Sequence, residues 1–477
     1  MSRWKLVLVL VVVSALIRIL PPLVAGSYFS TDVWPLIKST SKIVENPEIK
    51  IWNHEELGDY HNRWPASILS GAVYSVITGS DSSTFFRYTG VTTISICLTL
   101  LTYATLAKFV GERRAFASSL ALSALPSFTV FTSVVLKEVY SYPIAASITS
   151  IFVSNPGRVT WVVALLLSLA LVTSHPLTPL VLASAIASYV FCLRVKEVRL
   201  REKRGELHAV LLSTALLLIY SIYGAIYAWE GLAYKLGPQD VLSLVAIAVV
   251  VYGWYALNRG SDVVSSLVVT PLALAAIVTG LTGVLKLSLL PYVLAPATLL
   301  LTLLKKEPET RNPVSLVPSS INLPVATATL HIFLAQPVLI PIAYRILNYL
   351  TYPAVLSLST VKLSSRVIAY VQLAALAFGL AYSAAALAAG DPTIYYWVYR
   401  EPEVVGLMST SRYFNHVCGD AKVYYLVSME SGVEVGSLCG IEVLRELKIV
   451  APLILYLDNF RYGYVLSQVD VLPVSRL

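Results

Sequence analysis

The chain has 477 residues, of which 57% are hydrophobic and only 13% are charged. A soluble domain carries about a quarter charged residues, so this composition excludes an ordinary water-soluble fold. The formal net charge of +8 comes from basic residues in short loops between apolar runs, not from a basic patch interleaved with aromatic residues. That distribution is typical of a membrane protein and argues against nucleic-acid binding.

The first apolar run extends from Met1 to Leu23 and has a basic start at Arg3 and Lys5. It is too long for the apolar part of a signal peptide and lacks a clean small-residue cleavage site, so we expect a retained span. Further runs recur along the chain, as expected where backbone groups must be satisfied within a helix. The sequence predicts about thirteen spans, near 5–24, 87–108, 115–133, 139–154, 159–174, 178–193, 207–229, 238–257, 263–284, 287–304, 316–338, 343–361 and 366–389.

One apolar stretch in the first loop, Ser67 to Gly79, is too short to be a span. Counted from Pro65, it offers about 15 residues, or roughly 22 Å of helix. Treating it as a span would place the basic turn 111–114 outside and invert every later loop. We therefore expect the helix 65–79 to be half embedded in the outer leaflet.

With that choice, loops on the side of the N-terminus hold roughly twice as many basic residues as loops on the opposite side. The positive-inside rule then predicts a cytoplasmic N-terminus in the cell membrane. The predicted fold is an all-α polytopic membrane bundle in residues 1–390, with an external loop at 26–86.

The C-terminal segment, 391–477, is more polar than the rest of the chain. Strand-like runs at Lys422–Ser428 and Ala451–Leu457, with a predicted helix at Glu401–Phe414, favour a small external α/β domain. Cys418 and Cys439 lie in this segment, where an external location permits a disulfide between them.

Most reactive side chains lie in the first external loop. Asp32 closely follows the first span, so we expect it just above the outer leaflet. The segment Trp52–Trp64 then holds His54, Asp59, His61 and Arg63. A carboxylate at a water–lipid boundary can act as a general base, and an arginine can hold a phosphate through two hydrogen bonds. The simpler alternative is a loop of solvated charges flanked by interfacial aromatic residues.

Other polar residues lie at the predicted external ends of spans, namely Lys137, Glu138, His175 and Arg345. Charged residues at membrane depth are costly and often functional. The alternatives are an interfacial Lys137–Glu138 pair, a helix-break cap at His175, and an Arg345 that extends to the lipid headgroups. The sequence contains no glycine-rich phosphate loop, Cys-x-x-Cys, His-Glu-x-x-His or Gly-x-Ser-x-Gly motif.

Several local patterns follow one another along most of the chain. They are an acid after the first span (Asp32), a proline-led helix (Trp64–Leu69), an arginine before the next span (Arg87), a Gly-x-Arg turn (Gly111–Arg113), a Pro-Ser end (Pro126–Ser127), a second acid (Glu138), a His-Pro-Leu-Thr stretch (His175–Thr178) and an arginine before Tyr-Pro (Arg345, Tyr352–Pro353). This order resembles the GT-C superfamily of polyprenyl-phosphate-dependent membrane glycosyltransferases, which includes protein O-mannosyltransferases, aminoarabinose transferases and archaeal relatives.

The resemblance implies a glycosyltransferase that moves a sugar from a polyprenyl-phosphate donor to a glycan, protein or lipid acceptor at the external face, with inversion. It implies Asp32 as the catalytic base or as the residue that positions the acceptor, and Glu138 as a second acid that faces the cavity. It implies Arg345 and Arg63 as donor phosphate ligands. The acidic pair of the family often reads Asp-x-Asp or Glu-x-Asp, whereas Ser30 and Trp34 flank Asp32 here. This departure weakens the case for a divalent metal, which the sequence does not exclude. It also leaves open a degenerate, non-catalytic member.

Three rival functions are compatible with the sequence. A transporter needs paired broken helices and charges at the bilayer midplane, whereas the charges here gather at one predicted face. A non-catalytic, partner-binding scaffold with the same bundle is the second rival. A lipid-phosphate transferase or hydrolase that uses the same groove is the third.

Overall fold

The computed structural model is mostly helical, as the composition predicts. It describes residues 2–25, 30–57, 59–125, 128–129, 132–154, 158–196, 204–231, 237–281, 299, 313–336, 346, 348–360, 374, 377, 416–419, 434–437, 449–450, 455–456, 463–464 and 472–473. The predicted spans near 287–304 and 366–389, the helix Glu401–Phe414 and the strand Lys422–Ser428 lie outside these residues, apart from isolated positions.

Helices form the bulk of the described chain, and several of them are apolar and of membrane length. In chain order the helices are α1 (Arg3–Ala25), α2 (Trp34–Glu45), α3 (His54–Leu57), α4 (Asp59–Asn62), α5 (Ala66–Thr78), α6 (Ser82–Thr84), α7 (Gly90–Val110), α8 (Glu112–Ala124), α9 (Lys137–Val153), α10 (Arg158–Val172), α11 (Thr178–Val195), α12 (Arg204–Tyr223), α13 (Pro238–Leu257), α14 (Asp262–Leu281), α15 (Val317–Ala335) and α16 (Thr351–Thr360). Among the described residues, 6 helices are long and apolar enough to cross a membrane. The number of spans stays a prediction.

Short turns of 3-10 and π-helix extend several of these helices. The 3-10 turns are Thr31–Val33, Trp229–Gly231 and Pro313–Leu316, and the π-helical turns are Phe85–Thr89 and Gly224–Ala228. The first of them carries Asp32. The turn Trp229–Gly231, which follows the α12 region, lies against the first long loop through the ion pair of Glu230 with Arg63.

A central apolar cluster holds the bundle together. In it α1 packs on α7 and α8, α9 packs on α7, and α15 packs on α11, α13 and α14. A second cluster joins α9 and α11 to α10 and α12. The outer surfaces of α10, α12 and α13 expose many large apolar side chains, as expected for helices that face lipid.

The helix is interrupted within the predicted span 115–133. Helix α8 ends at Ala124, and Leu125 has an extended backbone (φ −62°, ψ 118°). The reason is Pro126, because a proline disfavours helical geometry in the residue before it. Residues 128–129 are helical again, and α9 begins at Lys137.

Helix α5 has the two-faced character expected of the half-embedded helix 65–79. Leu69, Val73, Val76 and Ile77 form an exposed apolar stripe, while Ile68 is fully buried on the opposite face, which packs on α2. Spacings of three and four residues place such side chains on one face of a helix. A 13-residue helix with this stripe suits the membrane surface better than a full crossing.

Contacts between elements join residues that the charge bias assigns to the same side. At the predicted cytoplasmic end, the pairs are Arg3–Glu112 and Lys196–Asp262. At the predicted external end, the backbone pairs are Ala66–Thr173 and Phe86–Val135. These contacts agree with the assignment of the loops to two opposite ends of the bundle, while the orientation of the bundle across a membrane stays a prediction.

Six short strands are described in the C-terminal segment. They are β1 (His416–Gly419), β2 (Glu434–Ser437), β3 (Ile449–Val450), β4 (Leu455–Tyr456), β5 (Gly463–Tyr464) and β6 (Leu472–Pro473). β1 pairs in parallel with β2 and β3, β3 pairs antiparallel with β6, and β4 pairs antiparallel with β5. Strand β4 lies within the predicted strand Ala451–Leu457. The α/β domain stays a prediction.

Candidate functional site

Asp32 lies on the 3-10 turn Thr31–Val33, between α1 and α2. Its side chain is half-buried. Ser30, just before the turn, is buried and has a φ of 74°, a left-handed conformation that a residue with a side chain rarely adopts. Such strain costs about 1–3 kcal/mol and often occurs at functional sites, which makes this turn a candidate.

Lys137 is the first residue of α9 and is only 8% exposed. Its ammonium lies over the ring of Trp64, with Nζ 5.3 Å from the ring centroid. Burial lowers the pKa of Lys137 to about 7, while the nearby charge of Asp32 acts in the opposite direction. The structure thus brings together Asp32, Lys137 and the end of the first loop.

His61 belongs to the same neighbourhood. Burial, and then the charge of Lys137, lower the pKa of His61 well below its ordinary value of 6.5. The imidazole is therefore uncharged at neutral pH, since protonating it would add a second buried cation beside Lys137.

Glu138 follows Lys137 and is half-buried. The hydroxyl of Tyr142, one helical turn later, donates a 2.5 Å hydrogen bond to its carboxylate Oε1. Tyr142 also packs edge-on against Tyr349, with their ring centroids 6.1 Å apart. Two tyrosines therefore line the approach to this carboxylate.

A chain of polar contacts links Tyr349, beside Glu138, to His175. The Nδ1 atom of His175 lies 2.8 Å from the Thr178 hydroxyl, which lies 3.0 Å from the Tyr349 hydroxyl and 2.8 Å from that of Ser141. The ring also accepts from the backbone N–H of Thr178 at 3.2 Å. His175 therefore caps α11 and connects three elements around Glu138.

Arg63 is directed away from this corner, toward the end of α12. Its guanidinium forms a 2.8 Å ion pair with Glu230 and donates to the backbone carbonyl of Tyr227 at 2.8 Å. The Tyr223 hydroxyl donates to the Arg63 carbonyl at 2.7 Å. These contacts anchor the first loop to the bundle, so Arg63 already has a protein carboxylate as its partner.

His54 takes part in the same anchor. Its Nδ1 lies 3.2 Å from the Asn62 amide nitrogen, and its ring packs edge-on against Tyr227 at 5.1 Å. The Tyr227 hydroxyl donates to the carbonyl of Ile51 at 3.1 Å. The structure therefore places His54 with Arg63, and His61 with Lys137.

The remaining predicted site residues are not located at the level of side chains. Asp59 lies in the backbone of α4 and Cys418 in β1, and the structure describes neither side chain. Arg345 and Cys439 lie outside the described residues. The phosphate role of Arg345 and the disulfide stay predictions.

Sequence reasoning missed Arg18, which is 1% exposed within α1. Its guanidinium donates to the Ser123 carbonyl at 2.8 Å and to the Thr132 hydroxyl at 2.6 Å, and it lies 5.6 Å from the ring centroid of Phe128. Arg18 therefore satisfies a carbonyl at the end of α8, where the helix breaks. An arginine inside an apolar run was the available signal.

Within the described residues, no group of three or more His, Cys, Asp or Glu side chains is arranged to hold a metal ion. The corner around Asp32 instead contains a buried ammonium group. This ammonium would repel a divalent cation placed beside it.

Comparisons with known proteins give a weak structural likeness. No family model matches the sequence, and no curated protein matches it. Among solved structures, an Archaeoglobus fulgidus oligosaccharyltransferase in complex with Zn and sulfate is similar at a TM-score of 0.48 and 12% identity, over 90% of this chain and 62% of that one. The same archaeal enzyme in complex with an inhibitory peptide and a dolichol-phosphate is similar at a TM-score of 0.43 and 12% identity, over 91% of this chain and 64% of that one. A TM-score below 0.5 does not establish a common fold, so the residues of this chain carry the proposal below.

Proposed function

We propose that the chain is an integral membrane glycosyltransferase that transfers a sugar from a polyprenyl-phosphate donor to a hydroxyl acceptor at the external face of the membrane. The observation that carries this proposal is that Asp32 lies near the buried Lys137, next to the half-buried Glu138, at one end of the bundle. A carboxylate, a cation and apolar helices at one depth match what a lipid-borne sugar phosphate requires.

The reaction is a single displacement at the anomeric carbon. The acceptor oxygen attacks that carbon, Asp32 takes the hydroxyl proton, and the bond from the anomeric carbon to the phosphate oxygen breaks. The electron pair leaves with the polyprenyl phosphate, and the configuration inverts. General-base help of this kind is worth about two to four powers of ten in rate.

Glu138 is the second acid of the proposed site. Its hydrogen bond from Tyr142 fixes one carboxylate oxygen, and the polar chain through Tyr349 and Thr178 surrounds it with donors. Such a carboxylate can orient a sugar or acceptor hydroxyl. We assign it a positioning role.

The ligands that the resemblance implies for the phosphate are Arg345 and Arg63. The phosphate-binding role of Arg345 stays a prediction. Arg63 is paired with Glu230, and we therefore assign it to anchoring the first loop. The stripe Leu69–Ile77 on α5 is an apolar surface near the site on which the polyprenyl chain can lie.

The test is transfer from a labelled donor. Membranes with matched amounts of the wild type, Asp32→Asn or Glu48→Gln receive a polyprenyl phosphate that bears a radiolabelled hexose. Glu48 is an exposed acid of the same loop and serves as the control. We expect labelled product from the wild type and Glu48→Gln, and at least about 100-fold less from Asp32→Asn.

Equal labelling by Asp32→Asn and the wild type would favour the scaffold function. Retention of the donor's anomeric configuration would contradict direct displacement. Release of free sugar or of phosphate without an acceptor product would favour a hydrolase, and sugar uptake into liposomes a transporter.

A further inference from the structure

The four residues from His61 to Trp64 connect two parts of the molecule. Two of them face the candidate site: the Trp64 ring centroid lies 5.3 Å from the Lys137 ammonium, and the charge of Lys137 acts on His61. The other two, Asn62 and Arg63, contact the end of α12. Because the four residues are consecutive, a shift of the contacts on one side displaces the side chains on the other.

Polar contacts hold this segment to the end of α12. The Tyr223 hydroxyl donates to the Arg63 carbonyl at 2.7 Å. The Tyr227 hydroxyl is shared between the carbonyls of Ile51 at 3.1 Å and Asn62 at 3.3 Å. In the opposite direction, the Arg63 guanidinium donates to the Tyr227 carbonyl at 2.8 Å. Backbone groups of both elements take part, so these bonds fix the path of the loop and not only one side chain.

The backbone at the end of α12 is shaped for this contact. The helix continues as the π-helical turn Gly224–Ala228 and the 3-10 turn Trp229–Gly231, and π-helical turns often occur at functional sites. Gly231 lies so close to Arg63 that a Cβ atom there would overlap the Arg63 Cδ atom. The Arg63 side chain, which is 9% exposed, passes this glycine to form its 2.8 Å ion pair with Glu230.

We propose that the end of α12, residues 223–231, positions the candidate site by holding the segment 61–64 against Lys137, beside Asp32. This inference rests on the proposed function. The contacting residues of α12 are positioning residues, since they act through Trp64 and His61 and not on the substrate. A displacement of about 1 Å at a reacting group can cost about 100-fold in rate. Loss of these contacts should therefore lower kcat more than it raises KM.

The first experiment measures amide hydrogen exchange of the full chain in lipid nanodiscs. In Gly231→Ala the new methyl group must displace Arg63, and we expect exchange in the segment 61–64 to be at least about tenfold faster than in the wild type. Gly224→Ala is the matched control on the same end of α12, because a Cβ there meets nothing within 4 Å. Its exchange should stay within about twofold of the wild type.

The second experiment measures transfer from the labelled donor. We expect kcat to fall by about tenfold in Gly231→Ala and about threefold in Glu230→Gln, with KM within about twofold. Glu206→Gln is the control for the ion pair, because Glu206 pairs with Arg194 near the start of the same helix. It should leave both constants unchanged. The Glu230 side chain is 76% exposed, so Glu230→Gln keeps the inference testable if Gly231→Ala fails to fold.

Unchanged exchange of the segment 61–64 in Gly231→Ala and Glu230→Gln would overturn the inference. Faster exchange with an unchanged kcat would do the same, because the segment would then move without effect on the reaction. A higher KM at constant kcat would mean that this end of α12 binds substrate and does not position the site. Absence of transfer by the wild type would contradict the proposed function alone, since the exchange measurement still tests the contacts with α12.

Discussion

At Glu138, the carboxylate accepts a 2.5 Å hydrogen bond from Tyr142, so its orientation depends on a side chain one helical turn away. A hydrogen bond to a charged group contributes about 1.5–3 kcal/mol. If Glu138 positions the substrate, Tyr142→Phe should lower kcat by about 10- to 100-fold and change KM little. Steady-state transfer from the labelled donor measures both constants.

Tyr140→Phe is the matched control for that change. Tyr140 lies on the same helix, and its hydroxyl contacts the Ser70 hydroxyl at 2.6 Å, away from Glu138. We expect kcat within about twofold of the wild type. An equal loss in both variants would mean that the helix, and not Glu138, responds to the substitution.

Single residues of the site were predictable, but their neighbours were not. Asp32, Lys137, Glu138 and His175 stand out as polar residues at the ends of apolar runs. The contact between the Thr178 and Tyr349 hydroxyls, which lies beside His175 and Glu138, joins residues 171 positions apart in the sequence. No local pattern encodes it. The pairing of Arg63 with Glu230 was hidden for the same reason.

At the scale of elements, Arg18 ties α1 to the broken end of α8. Replacing it by lysine removes the forked geometry that reaches both the Ser123 carbonyl and the Thr132 hydroxyl. Arg18→Lys should therefore lower the free energy of unfolding by about 1–3 kcal/mol. Thermal unfolding of the purified protein in detergent measures the change.

Arg3→Lys provides the comparison on the same helix. Arg3 is exposed and forms a 3.8 Å surface pair with Glu112, which contributes little to stability. An unfolding midpoint that is the same for Arg18→Lys and Arg3→Lys would show that the buried contacts do not stabilise the helix break.

Helix existence was more predictable than helix ends. The run 238–257 is the helix α13 as predicted, because it is uniformly apolar and flanked by polar residues. The run 115–133 is apolar enough to suggest a span, but helix α8 ends at Ala124, shortly before Pro126 in the sequence, and hydropathy alone does not register such a break. The short helix α5 could be distinguished from a span only by its length and by the charges of later loops.

For the whole molecule, the central claim is that the end of the bundle that holds Asp32 and Lys137 receives a lipid-borne sugar phosphate. The alternation of basic loops predicted which ends of the helices meet, because charges stay out of the hydrocarbon. It did not predict which side chains come together at that end, since this depends on how the helices rotate when they pack.

The most direct test of this claim is an experimental structure of the protein in a lipid nanodisc with a short-chain polyprenyl monophosphate bound. We predict phosphate density at the end of the bundle that holds Asp32 and Lys137, with Asp32 on the side open to the acceptor and the isoprenoid chain among the lipids. Phosphate bound at the opposite end of the bundle would contradict the account.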